Sequence, residues 1–142
     1  MKDRSLATRM TMDVGQTFLY ETNIEQVPIR GRISEIAGNV QVNFISALNE
    51  GEVRFGVARR LGATKLEQIV EEFLLRVTIL PWDSDAARQY GQLRAELERV
   101  GQPMGNLDMM IGAHAAAAGL VLVSNDRAFA RIKKLKIQDW TI

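Results

Sequence analysis

Four acidic residues are spaced so that a fold could gather them: Glu21, Glu52, Asp108 and Asp126. Each stands just beyond a stretch that reads as a strand, or near the start of a helix. Parallel sheets bind ligands outside the carboxyl ends of their strands, so carboxylates from distant segments can converge there. Acids brought together repel one another unless a cation sits between them. A divalent ion would neutralise them, polarise a phosphate and lower the pKa of a bound water. That chemistry suits phosphodiester hydrolysis and needs neither cysteine nor histidine. The chain has no cysteine and one histidine, His114, which excludes a disulfide framework, a Cys-based zinc site and a His relay. An all-carboxylate donor set favours Mg²⁺ or Mn²⁺. The same four acids also fit ordinary roles. Asp108 at a helix start and Asp126 after a strand are capping positions, and any of the four could be a solvated side chain.

The elements that must position these acids alternate. Thr17-Phe-Leu-Tyr20 is a short apolar run that suits a buried strand, and it runs straight into Glu21. Pro28 to Ile36 suits a short helix, stopped near Gly38-Asn39. Val40 to Ile45 alternates and is β-branched, which predicts a strand. Ser46 then caps a helix from about Leu48 to Arg60, weakened by Gly51. Leu66, Ile69, Val70, Phe73 and Leu74 recur at helical spacing over Lys65 to Leu75. Val77 to Leu80 is a brief strand. Asp83 or Ser84 caps a helix over about Asp85 to Val100, which Gly101 stops. Asn106-Leu-Asp108 opens another helix, Met109 to Ala118, ended by Gly119. Leu120-Val-Leu-Val123 is continuously apolar, as in a parallel strand buried on both faces. A short helix over Phe129 to Lys134 and a strand over Ile137 to Trp140 close the chain. The pattern predicts an α/β domain with a mostly parallel central sheet of four to five strands flanked by helices.

The 142 residues suit one domain, residues 1–142, with 1–12 as a possible extension. Lys and Arg total 18 against 17 Asp and Glu, for a net charge of +1. Any nucleic-acid contact must therefore come from a local patch. The densest is Arg127, Arg131, Lys133, Lys134 and Lys136, either a solvated face or a contact to an RNA backbone. No apolar run approaches a membrane span, and the polar start lacks a signal-peptide core; a cytoplasmic protein is expected. His114 lies six positions after Asp108 and so almost opposite it on a helix, which points to a structural role. Met104, Met109 and Met110 suit the core or an interface. Trp82 and Trp140 suit burial or base stacking.

The order and spacing of several segments resemble one family. Leu93-Arg-Ala-Glu-Leu97, Gly101 to His114, Gly119-Leu-Val-Leu-Val-Ser-Asn-Asp-Arg-Ala-Phe129 and Gln138-Asp-Trp140 are similar to the second half of VapC toxins, which are PIN-domain proteins. Ile45-Ser-Ala47 followed by Glu52-Val-Arg-Phe-Gly56 resembles the family's middle motif. The resemblance covers about residues 40–142 and implies a PIN-like fold and a Mg²⁺-dependent endoribonuclease, the toxin of a type II toxin–antitoxin pair. It implies Glu52, Asp108 and Asp126 as metal-coordinating acids, with Asp126 peripheral. Ser46 would lie near the cluster or cap its helix, and Gly56 would allow close helix packing. Arg94 and Arg127 are candidates for phosphate contact. The amino-terminal part departs from the pattern. Where the family carries Asp-Thr-Asn after its first strand, this chain carries Glu21-Thr22-Asn23, with Glu21 and Asn23 in the matching places. Asp13 is a rival first acid. The resemblance to enteric VapC proteins further implies cleavage of initiator tRNA in the anticodon stem-loop, a VapB-like antitoxin and a homodimer. The longer Glu21 side chain leaves another reading open, a PIN-fold binding or assembly module with weakened catalysis. A nuclease or phosphatase of other lineage is a third.

Overall fold

The computed structural model describes residues 18–21 and 43–139. The expected helix over Pro28 to Ile36, and Asp13, Asn23 and Trp140, lie outside them. Five strands form one sheet: β1 (Phe18–Tyr20), β2 (Asn43–Ser46), β3 (Thr78–Leu80), β4 (Val121–Val123) and β5 (Ile137–Gln138). Every pairing is parallel and the spatial order is β3-β2-β1-β4-β5. Among the described residues four helices pack around it: α1 (Ala47–Ala58), α2 (Thr64–Arg76), α3 (Ser84–Arg99) and α4 (Asn106–Ala118). A 3₁₀ helix, Arg127–Arg131, joins β4 to β5.

The pleat sorts the apolar residues onto two faces. Val121 and Val123 of β4 join Ile45 and the buried stripes of α1 and α2, including Val53, Val70 and Phe73. Leu122, between them in sequence, turns to the other face. There it meets Leu19, Leu93 and Leu97 of α3, Ile111 of α4, and Phe129 and Ile132. Strand β4 is thus buried on both faces, as its uninterrupted apolar run predicts. Leu19 and Leu122 are register partners, so the two central strands contribute adjacent side chains to the same core. Each fully buried aliphatic chain of this kind stabilises the fold by roughly 1.5–3 kcal/mol.

Local signals fix the element ends. The Asp83 carboxylate accepts from the Ala86 amide at 2.9 Å and starts α3. Helix α3 ends in a Schellman motif, with the Gln102 amide on the Leu97 carbonyl and Gly101 at φ 69°. Gly119, at φ 68°, ends α4. Ser46 Oγ accepts from the Leu48 amide at 3.2 Å and caps α1 as the sequence suggests, with the helix starting at Ala47, one residue earlier than expected. Gly51 does not interrupt α1, because Asn49, Val53 and Gly56 bury one stripe around it. Among the described residues no helix is long and apolar enough to cross a membrane.

Candidate active site

The sheet order gives the site its place. From β1 the chain moves outward through β2 to β3, then returns to the other side of β1 for β4 and β5. The reversal falls between β1 and β4, and beyond the carboxyl ends of such a pair a crevice opens. Glu21 follows β1 there, and Ser124 to Asp126 follow β4. The Glu21 amide continues the ladder by donating to the Val123 carbonyl at 2.9 Å.

One buried hydroxyl ties these residues together. Ser124 Oγ, on a side chain only 3% exposed, donates to Glu21 Oε2 at 2.9 Å. The same oxygen accepts from the Asp126 amide at 3.0 Å. Asp126 Oδ1 in turn accepts from the Ala128 amide at 2.9 Å and starts the 3₁₀ helix. The capping role open to Asp126 is therefore real. Asp108 takes a different position. The α4 cap is Gly105, without a side-chain bond, and Asp108 sits inside the first turn, half-buried. Burial first, and then the negative charge of Asp126, push its carboxyl above the ordinary 3.8. Asp108 and Asp126 thus feel each other across the crevice, with Glu21 linked to the same point through Ser124.

Glu52 is exposed on α1, three residues after buried Asn49 and four before buried Gly56, at the edge of the helix's packed stripe. Among the described residues no three acidic, cysteine or histidine side chains stand close enough together to hold a metal ion. The donors fit a hard divalent cation in kind, being carboxylates beside a hydroxyl. The upward shift at Asp108 comes first from burial and then from the Asp126 charge, which a bound cation would offset.

The two candidate arginines differ. Arg94 is held along its own helix, by Glu98 at 3.0 Å and the Tyr90 hydroxyl at 3.0 Å. Arg127 is exposed beside Asp126 at the start of the 3₁₀ helix. Ser46 caps α1 and also meets His114 Nδ1 at 2.9 Å. His114 is 3% exposed, with the Trp82 ring edge-on at 5.6 Å. Its pKa is lowered below 6.5 by burial, against the pull of the Asp83 charge and a Pro81 backbone hydrogen bond. The neutral ring satisfies its surroundings. Nδ1 meets the same Ser46 Oγ that accepts from the Leu48 amide, so the helix cap and the histidine share one oxygen. His114 is therefore structural, as its helical position relative to Asp108 implies. Met104 and Met109 are core residues.

Sequence reasoning missed Ser124 as a site residue. Its signal was available: a short polar side chain directly after a doubly buried strand must find partners beneath the surface.

The PIN domain family model matches residues 18–135. The chain belongs to the PIN-domain family. A tRNA(fMet)-specific endonuclease VapC from Salmonella typhimurium is 36% identical over 128 residues, 87% of this chain and 97% of that protein. A protein of the same description from Shigella flexneri is 33% identical over 129 residues, 87% of this chain and 98% of that one. Among solved structures, VapBC2 from Rickettsia felis, bound to a promoter DNA fragment, superposes with TM-score 0.79 at 27% identity. That match covers 88% of this chain and 99% of the other. The parallel α/β sheet described above is thus that of a PIN domain.

Proposed function

We propose that this PIN domain is a metal-dependent endoribonuclease, the toxin of a type II toxin–antitoxin pair, acting in the cytoplasm. One observation carries the reading. Asp108 and Asp126 are electrostatically coupled at the β1/β4 reversal, and Glu21 is bonded into the same place through Ser124. Glu21, Asp108 and Asp126, with Glu52 from α1, would hold Mg²⁺ or Mn²⁺, and Asn23 and Ser46 would support them. When bound, such an ion supplies a more acidic water and a polarised phosphate. The chain's own residues do the rest. Ser124 orients Glu21. Asp108, half-buried beside Asp126, would offer the ion an ionised carboxylate. Arg127 is placed to meet a phosphate oxygen next to Asp126.

The relatives named for tRNA(fMet) support initiator tRNA as the substrate, and the proposed cut lies in its anticodon stem-loop. The solved VapBC relative supports a VapB-like antitoxin as partner, and a homodimer is part of the proposal. Purified protein is incubated with total tRNA under Mg²⁺, Mn²⁺ or chelator, beside Asp108→Asn. The expected result is metal-dependent fragments from the wild type and none from the variant. No fragments under either metal, or equal cutting by the variant, would overturn it. A second reading, a PIN-fold binding or assembly module with weakened catalysis, has support in the longer Glu21 side chain at the first acid position. Silence in the cleavage assay, with binding of tRNA retained, favours that module.

A further inference from the structure

The basic run near the carboxyl end has a place in the fold that the acidic site does not use. A groove of about 410 Å³ lies between the end of α3 and the turn after the 3₁₀ helix. Leu97, Val100 and Ile132 supply apolar surface, and Arg99, Lys133 and Lys134 supply charge. Val100 is 67% exposed, an apolar side chain left to solvent at the groove's edge. We propose that this groove is an RNA-docking exosite. It would hold the backbone of a substrate strand whose scissile phosphate lies at the acids.

Three observations support an RNA strand as the occupant. The first is charge. The groove gathers Arg99, Arg131, Lys133 and Lys134 against the single acid Glu96, in a chain whose net charge is only +1. The second is commitment. Arg99 and Lys133 have no ion-pair partner among the described residues, whereas Arg54, Arg88 and Arg94 are all paired with glutamate or aspartate. Lys134 donates to the neutral Gln89 amide oxygen at 2.8 Å, which orients the ammonium without discharging it. Arg131 is likewise fixed on the Pro103 carbonyl. The third is continuity. Asp126 caps the 3₁₀ helix, and Arg131 at its far end lines the groove. Five residues of 3₁₀ helix span about 10 Å, with exposed Arg127 between.

The electrostatics explain why such a flank is needed. An acidic site repels the polyanion it must cut. Cations a short way along the strand's path offset that repulsion and steer the approach. The apolar surface suits an unstacked base or a ribose face, which a single-stranded segment exposes. This inference rests on the ribonuclease reading, but its test has a separate readout.

The experiment uses the full chain carrying Asp108→Asn, so that RNA is bound and not cut. A fluorescein-labelled single-stranded RNA is titrated by anisotropy across a salt series, with and without the pair Arg99→Gln and Lys133→Gln. Both residues are exposed and unpaired among the described residues, so the fold should survive. Lys65→Gln, on the exposed side of α2, is the control. Loss of two phosphate contacts should flatten the slope of log affinity against log salt by about 1.4. In the cleaving background, the double variant should raise KM for a long RNA more than for a short one centred on the cut, with kcat retained. An unchanged salt slope overturns the proposal. So does a fall in kcat at constant KM, or binding of a Leu/Glu amphipathic peptide, in place of RNA, that the double variant abolishes. If the wild type cuts nothing yet the salt slope still falls in the double variant, the exosite stands and the cleavage reading fails.

Discussion

Replacing Ser124 with Ala deletes one oxygen and breaks two hydrogen bonds. The bond to Glu21 Oε2 is to a charged group, on a partner that is half-buried. Bonds to charged groups contribute about 1.5–3 kcal/mol, and partial exposure favours the lower end. The Asp126 amide also loses its acceptor. Asp126 is exposed, so water can take over, and that loss is about 0.5 kcal/mol. Ser124→Ala should therefore cost about 2 kcal/mol, or about 8 °C in Tm for a domain of this size. Urea titration should show a lower midpoint at unchanged slope. The catalytic effect is separate. Without the Ser124 hydroxyl the Glu21 carboxylate loses one of its anchors, and a shift of about an ångström costs about 100-fold in rate, so kcat should fall far more than KM rises. Ser124→Thr keeps the hydroxyl and should recover most of the rate. A Ser124→Ala protein within about 0.5 kcal/mol of wild type and with native kcat would show that the hydroxyl organises nothing.

Asp108→Asn should abolish cleavage and yet stabilise the fold at neutral pH. The folded carboxyl binds protons more tightly than the unfolded one, so its ionisation weakens the fold as pH rises through and above 3.8. Thermal melts should show the variant's advantage at pH 7 and its disappearance well below pH 3.8. His114 has the opposite sign. Its folded pKa lies below 6.5, so the unfolded chain takes up the proton first, and stability falls as pH drops below 6.5. Denaturation of wild type and His114→Gln from pH 8 to pH 5 (chosen around the reference value) should show a flatter profile in the variant; parallel profiles would remove His114 from the account. Gly112→Ala would place a Cβ 2.5 Å from Ile132 Cδ1. Overpacking of about 1–3 kcal/mol, offset by about 1 kcal/mol of helix propensity, predicts a net loss of up to about 2 kcal/mol by calorimetry. Ile132 immediately follows the helix that Asp126 caps, so turnover should fall with it.

Much of this was legible because periodicity reports burial directly. The run Leu120–Val123 could only be a strand covered on both faces, and Gly101 and Gly119 marked helix ends through their backbone freedom. Asp108 and Asp126 were legible as candidates, but their coupling was not, since it depends on α4 and β4 meeting at one end of the sheet. Whether each acid is a cap could not be read from type and position. Asp126 is a cap, while the role at α4 falls to Gly105. Gly51 suggested a weak helix, and the packing of its neighbours outweighs roughly 1 kcal/mol of propensity. Ser124 was legible as a polar residue in need of partners, but its bond to Glu21, 103 positions away, was not, because the sheet order sets that pairing.

The central place of β1 also fixes when the protein can work. Its carboxyl-end partner, β4, is made about a hundred residues later: the Glu21 amide waits for the Val123 carbonyl. At translation speeds of about 5–20 residues per second, that interval is roughly 5–20 s. Through it, the β1 segment has only β2 to pair with, and the acids remain on separate, unassembled pieces of chain. A nascent chain interrupted before β4 would carry Glu21, Glu52 and even Asp108 with no crevice to hold them. The topology thus acts as a timer, closing the site only after β4 has been made.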